Sequence, residues 1–194
     1  MNYLAHLWLT EQARLPLAGA ILGDLVHGRL EGRFPAPLER SIRLHRRVDV
    51  VTDAHPLVAA ARARFGPGAR RYGGIVLDLV YDHCLALDWP RHSEEPLGDF
   101  ARRAAQALEA EQAGFAAAGQ SAPSSWRFRR LLLSYAGEAG IERAIRRTAG
   151  WLKKPEGLID AARGWQAHLP QARADLPVLL EDLRAMAREF TQTP

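Results

Sequence analysis

The sequence predicts an all-α fold, a compact bundle of helices, on three observations. Ala, Leu, Arg and Glu dominate its 194 residues, and apolar positions recur at three and four along most of the chain, the period of a helix packed on one face. The alternation of Val, Ile and Thr over strand length is missing. Gly, Pro and Ser clusters cut the periodic stretches into helix-sized pieces with no long linker.

The first helix is expected over 3–9, and a second over 16–27 with Pro16 in its first turn, where a missing N–H costs nothing. Gly28, Gly32, Pro35 and Pro37 mark a loop. A third helix spans 38–54 and stops before His55-Pro56, because a residue preceding proline is pushed out of the α region. A fourth covers 57–64 and breaks at Gly66-Pro67-Gly68. The fifth, 71–89, is apolar nearly all round, which marks a central, buried helix. Amphipathic helices follow over 97–118, 126–135, 141–152, 156–167 and 176–190, and their Leu, Ala, Phe and Trp positions read as ordinary core. The length fits one domain over 1–194 that needs no disulfide to fold.

Composition narrows the function classes. One cysteine, Cys84, excludes a disulfide framework and fits a reducing compartment. No apolar run approaches a membrane span, and the N-terminus lacks the features of a signal peptide, so a cytoplasmic location is expected. The net charge is +4, but residues 40–71 and 126–154 each carry eight basic and two acidic residues, leaving the remainder acidic. Two basic stretches on an otherwise acidic chain point to an anionic partner. Aromatic residues are not interleaved with the arginines, and no helix-turn-helix stands out, which argues against a nucleic-acid-binding module. Nucleotide-binding loops, a GxSxG elbow and CxxC pairs are also missing.

The chemistry is expected in the first half. Asp78 and Asp82 lie one turn apart on the fifth helix, on the face of Leu85 and Trp89. Buried unpaired, each carboxylate would cost several kcal/mol, and their repulsion would raise one pKa. A divalent cation or paired arginines would resolve both problems. On the third helix His45, Asp49 and Asp53 form an i, i+4 stripe that could offer nitrogen and oxygen ligands. In the second, Asp24 interrupts an apolar run in which Gly19 and Gly23 permit a close backbone approach. His6 sits in an apolar stretch, where a lone His is more often core than ligand, and Asp82-His83 is an adjacent acid–imidazole pair. Five of the seven histidines fall within the first 83 residues. Mixed His and carboxylate ligands suit Mn²⁺, Mg²⁺, Fe²⁺ or Zn²⁺, and such helical sites activate water against phosphorus centres.

Several short segments occur in a telling order: Met1-Asn2-Tyr3-Leu4-Ala5-His6-Leu7, Leu22-Gly23-Asp24, Leu44-His45-Arg46-Arg47-Val48-Asp49, Thr52-Asp53-Ala54-His55-Pro56, Gly74-Ile75-Val76-Leu77-Asp78 and Tyr81-Asp82-His83-Cys84. Together they resemble the bacterial acyl carrier protein phosphodiesterases, a divergent branch of the HD-type metal-dependent phosphohydrolases. The resemblance is strong over 1–90 and continues more weakly through Tyr135 and Gly140-Ile141-Glu142-Arg143-Ala144. It implies an HD-like helical bundle, Mn²⁺ or Mg²⁺, and hydrolysis of the phosphodiester joining 4′-phosphopantetheine to the serine of holo-acyl carrier protein by metal-activated water. It also implies metal-site roles for Asp24, His45, Asp49, Asp78 and Asp82, with His83, His6 and His55 in or near the site. His83 or His6 is the expected proton donor to the leaving serine oxygen. Where the family pattern has Ser-Arg-Arg after Gly140-Ile141, this chain reads Thr148-Ala149-Gly150-Trp151. The acidic carrier is the expected partner, met by basic residues that include Arg46, Arg47, Arg146 and Arg147. The competing expectations are an HD-like phosphohydrolase of a nucleotide or small phosphoester and, in another class, the nucleic-acid-binding module.

Overall fold

The computed structural model describes residues 1–192, and among these every regular element is helical. Eleven α-helices follow one another: α1 Tyr3–Gln12, α2 Gly19–Leu25, α3 Ala36–Ala54, α4 Pro56–Ala63, α5 Arg70–Leu87, α6 Leu97–Ala110, α7 Gln112–Ala117, α8 Ser125–Ser134, α9 Glu138–Ala149, α10 Pro155–Ala161 and α11 Leu169–Gln192. Short 3₁₀ turns at Trp89–Arg91 and Trp165–His168 follow α5 and precede α11.

The most apolar helix is central, as its sequence demands. α5 packs against α1, α4, α9, α10 and α11, and Val76, Leu77, Leu79, Val80 and Leu85 are buried. It is not buried all round: Asp78 and Ile75 are half-buried and Leu87 is exposed. α1 lies against it, with Leu4, Ala5, Leu7 and Leu9 wholly buried. α3 buries Leu38, Ile42, Leu44, Val48 and Thr52 and ends where expected, because His55, extended before Pro56, cannot continue it. The His55 side chain then accepts the Leu57 N–H at 3.2 Å and caps α4.

Several boundaries differ from the sequence reading. α2 begins at Gly19, since Pro16–Ala18 form a turn with i, i+3 hydrogen bonds. The helix expected over 97–118 is two: Glu111 leaves the helical region at ψ 49° and its carboxylate accepts the Gly114 N–H, starting α7 anew. The segment expected over 156–167 is likewise split, with Gly164 in the left-handed region at φ 67° between α10 and the second 3₁₀ turn. Conversely, α11 starts at Leu169 and runs through Pro177. That proline forgoes one ladder hydrogen bond, and the buried row Ala172, Leu176, Leu179, Leu180 and Leu183 holds the helix against α5 and its neighbours.

α2 and α3 are joined at closest range. A Cβ on Gly19 would stand 2.2 Å from Ser41, and one on Gly23 would stand 2.2 Å from the His45 ring. The close approach read from the glycine pair therefore brings α2 onto the face of α3 that carries His45.

Candidate metal centre

Three helices meet with chemistry at their contact. α1 supplies His6, α3 supplies His45 and Asp49, and the last turn of α2 supplies Asp24. His6 Nε2 lies 3.0 Å from Asp49 Oδ1, and His45 Nε2 lies 3.2 Å from Asp49 Oδ2 and 3.4 Å from Asp24 Oδ1. The two imidazoles stack at 4.0 Å between centroids and 21° between planes. Ligand atoms of His6, His45 and Asp49 all lie within 4.8 Å of one another, a grouping able to hold one metal ion. The histidines form the buried floor, each 2% exposed, while Asp24 and Asp49 are about half open to solvent.

One contact sets the tautomer. His45 Nδ1 lies 2.8 Å from the carbonyl oxygen of Ala20, which can only accept, so Nδ1 carries the proton and donates it. Nε2 therefore faces the carboxylates of Asp24 and Asp49, and on losing its proton it offers a lone pair there, as in a metal-ligating histidine with a carbonyl behind it. His6 is the complement. Neither of its ring nitrogens has a partner in hydrogen-bonding geometry, although Nε2 is close to Asp49. Buried orphaned nitrogens are rare, and a cation accepting the lone pair of Nε2, the nitrogen beside Asp49, accounts for one of the two. The donor set, two imidazoles and two carboxylates, fits a divalent first-row metal or Mg²⁺.

The electrostatics without a metal are those of two stacked bases sharing one proton. Burial, and the charge of His45 beside it, lower His6 to about 4. Burial also opposes charge on His45, but hydrogen bonds with Asp24 and Asp49 outweigh it and raise His45 to about 9. Against its own partial burial, Asp49 is held well below the usual carboxylate range by the two imidazoles.

The structure gives other partners to several residues expected here. Asp82 is fully buried, and its carboxylate accepts the Leu4 N–H at 2.7 Å and the Ala5 N–H at 3.2 Å. These are first-turn donors of α1, whose N-cap Asn2 makes no side-chain cap, so Asp82 caps α1 from α5. Its burial, opposed by those N–H groups, pushes its pKa up to about 7. Asp78 meets the Met1 ammonium at 2.7 Å. Asp78 thus faces an ammonium and Asp82 two backbone amides, and the His6–His45–Asp49 group does not include either residue.

His83 Nδ1 donates to the Tyr135 carbonyl oxygen at 2.5 Å, and its ring meets Trp165 edge-on. Those contacts hold His83 within the core, 3% exposed, and it is not part of the His6–His45–Asp49 group. Asp53 pairs with Arg62, and His55 with Asp182. The Arg46 guanidinium donates to the carbonyls of Val26 at 2.6 Å and Gly28 at 2.8 Å, tying down the chain after α2. Arg47 is exposed, and Arg146 approaches Glu142 at 3.9 Å.

A cleft of about 360 Å³ opens beside the metal group, lined by Asn2, Tyr3, Asp24, Asp78, Arg147 and Trp151. Arg147 has no acidic partner among the described residues. It lies over Tyr3 at 5.8 Å and Trp151 at 5.9 Å, with its buried Nε unpaired. A cation there, beside two half-exposed carboxylates and two imidazoles, suits a bound phosphoryl group. The sequence signalled Asp24, His45, Asp49 and Arg147. It did not signal Tyr3 or Trp151, for Trp151 reads as helix core yet is 70% exposed.

The family model described as acyl carrier protein phosphodiesterase matches residues 1–183. Similar curated proteins, each named acyl carrier protein phosphodiesterase, include one of Photorhabdus laumondii, 47% identical over 91 residues, covering 47% of this chain and 46% of that protein. One of Klebsiella pneumoniae is 41% identical over 109 residues, 56% of each chain, and one of Escherichia coli is 43% identical over 101 residues, 52% of each. The chain thus spans about half the length of the curated relatives it matches. No solved structure matches. The His6, Asp24, His45 and Asp49 that build the centre all lie within the matched residues, and the chain belongs to the acyl carrier protein phosphodiesterase family.

Proposed function

We propose that the protein hydrolyses the phosphodiester between 4′-phosphopantetheine and the serine of holo-acyl carrier protein, releasing apo-carrier and phosphopantetheine, with Mn²⁺ or Mg²⁺ bound at the His6–His45–Asp49 group. The observation that carries this reading is the opening of that group, through Asp24, onto the cleft that holds Arg147. The names of the relatives support the carrier as substrate.

The residues divide the work. His45, its proton held on Nδ1 by Ala20, presents Nε2 with Asp24 and Asp49, and His6 closes the set from α1. A divalent cation bound there supplies Lewis-acid charge and lowers the pKa of water toward neutrality. Arg147 places a guanidinium where the phosphoryl oxygens gain charge. The buried imidazole floor limits water to the open, carboxylate side. Among the described residues no helix is long and apolar enough to cross a membrane.

The test is direct. Holo-acyl carrier protein is incubated with the enzyme and Mn²⁺, and the carrier is weighed by mass spectrometry. Loss of the phosphopantetheine mass is expected, with no release from a panel of nucleotides. Cleavage of nucleotides with holo-carrier left intact would assign the site to small phosphoesters.

A further inference from the structure

Three clefts converge on one exposed tryptophan. The cleft beside the metal group shares Tyr3, Leu25, Arg147 and Trp151 with a second cleft of about 250 Å³. It shares Ile75 and Trp151 with a third of about 450 Å³. The second is apolar, walled by Tyr3, Ile21, Leu25, Phe115, Phe128 and Leu131 from α1, α2, α7 and α8, with Gln120 and Ser121 also along it. The third is basic and contains Arg71, Lys153 and Lys154. None of these three cations has an acidic side chain within ion-pair distance among the described residues. Four of the eight arginines of the 40–71 stretch are occupied: Arg43 by Glu39, Arg62 by Asp53, and Arg40 and Arg46 by carbonyls.

The two exits match the two halves of a phosphopantetheinylated carrier, so this inference rests on the function proposed above. One ester arm is neutral and thin, with a gem-dimethyl group, two amides and a thiol. It loses little on leaving water for an apolar cleft that offers an amide and a hydroxyl, the usual make-up of a small-ligand site. The other arm is a folded protein rich in carboxylates, which an aromatic slot would exclude and unpaired cations would attract.

We propose that Trp151 divides the substrate, with the pantetheine arm lying in the α1/α2/α7/α8 cleft and the acidic carrier docking over Arg71, Lys153 and Lys154. The phosphodiester then sits between them at Arg147 and the metal group. A second basic cleft containing Arg127, Arg130 and Arg143 adjoins the apolar one, sharing Leu131 and Arg147 with it. It lies on the arm's side of the substrate and is not the docking surface.

The experiment measures KM for holo-acyl carrier protein across a range of NaCl concentrations, using K153E/K154E, S121W and R127E/R143E. K153E/K154E is expected to raise KM about tenfold at low salt and to flatten its salt dependence. S121W, which narrows the apolar cleft at an exposed position, is expected to raise KM while keeping the wild-type salt dependence. Thermal melts check that each variant is folded. Flattening in R127E/R143E instead of K153E/K154E would move the carrier to the other basic cleft and overturn the assignment. So would an unchanged KM in either K153E/K154E or S121W. If the wild type itself releases no phosphopantetheine, the functional reading fails first; if it does and the variants behave otherwise, only the placement fails.

Discussion

His45 holds its Nδ1 2.8 Å from the carbonyl oxygen of Ala20, one turn before Asp24 on the same helix. α2 therefore both orients the imidazole and supplies a carboxylate to it, and the two can act together only while α2 stays close to α3. Gly23 keeps it close, since a Cβ there would meet the ring carbons of His45 at 2.2 Å.

Gly23→Ala is accordingly expected to push the His45 ring off the Ala20 carbonyl. Disturbing the partner that orients a metal-ligating histidine costs roughly 10–100-fold in metal affinity, and that range is expected for Mn²⁺, read by titration calorimetry. Gly23→Ala with wild-type affinity would show that this contact does not position the ring.

Metal uptake should be coupled to protons. With His45 at about 9, its proton must leave before Nε2 can bind a cation, so Mn²⁺ affinity should rise about tenfold per pH unit below 9. Calorimetry in two buffers of different ionisation enthalpy would count close to one proton released at pH 7. Stability of the metal-free protein follows the opposite sign. The folded pKa of His45 lies above its ordinary 6.5, so the stabilisation from Asp24 and Asp49 is complete below about 6.5 and is lost as pH rises through about 9. The metal-free melting temperature should fall between pH 7 and pH 9.5, and added Mn²⁺ should restore it.

The helices were legible because their punctuation is local: His55-Pro56 ends α3 from either point of view. The cluster was legible only in part. His45 and Asp49 share a helix, and their i, i+4 spacing places them together. Gly19 and Gly23 announced a close approach but not its target, which a sequence cannot name. The partners of Asp82 were hidden from the sequence for a physical reason. A buried carboxylate demands a partner, and composition offers cations and metals as candidates; the amides of a second helix's first turn leave no trace in side-chain chemistry. Arg46 is alike in this respect, since the backbone carbonyls it meets leave no trace in side-chain chemistry either.

Removing the Asp82 carboxylate should cost fold before function. Asp82→Ala leaves the Leu4 and Ala5 N–H groups buried and unpaired, at about 1–3 kcal/mol each. A melting-temperature drop on the order of 10 °C is expected. Asp82→Asn keeps one acceptor and should fall less. The raised pKa, about 7 against an ordinary 3.8, means that Asp82 favours the fold most below pH 4 and that this advantage is lost as pH rises through 7. The deficit of Asp82→Asn relative to the wild type should therefore narrow between pH 5 and pH 8, as measured by denaturant unfolding. A deficit that stays constant would mean that the carboxylate is already charged in the fold at pH 5.

Arg46 and Arg147 separate the structural from the functional use of arginine. Arg147 lines the cleft with no acidic partner among the described residues and with its Nε unpaired. Arg147→Ala is expected to lower kcat/KM for holo-carrier about 10²-fold, as when a single donor to developing charge is lost. Arg147→Lys should recover only part, since one ammonium cannot replace a planar fork of donors. Arg46→Ala removes two hydrogen bonds to Val26 and Gly28 and should destabilise the loop after α2 by about 1–3 kcal/mol. Its kcat/KM should keep the wild-type dependence on salt, because the charge removed faces backbone carbonyls and not the carrier. A flattened salt response in Arg46→Ala would return this arginine to the docking surface; a near-normal kcat/KM in Arg147→Ala would take the phosphoryl group away from the cleft.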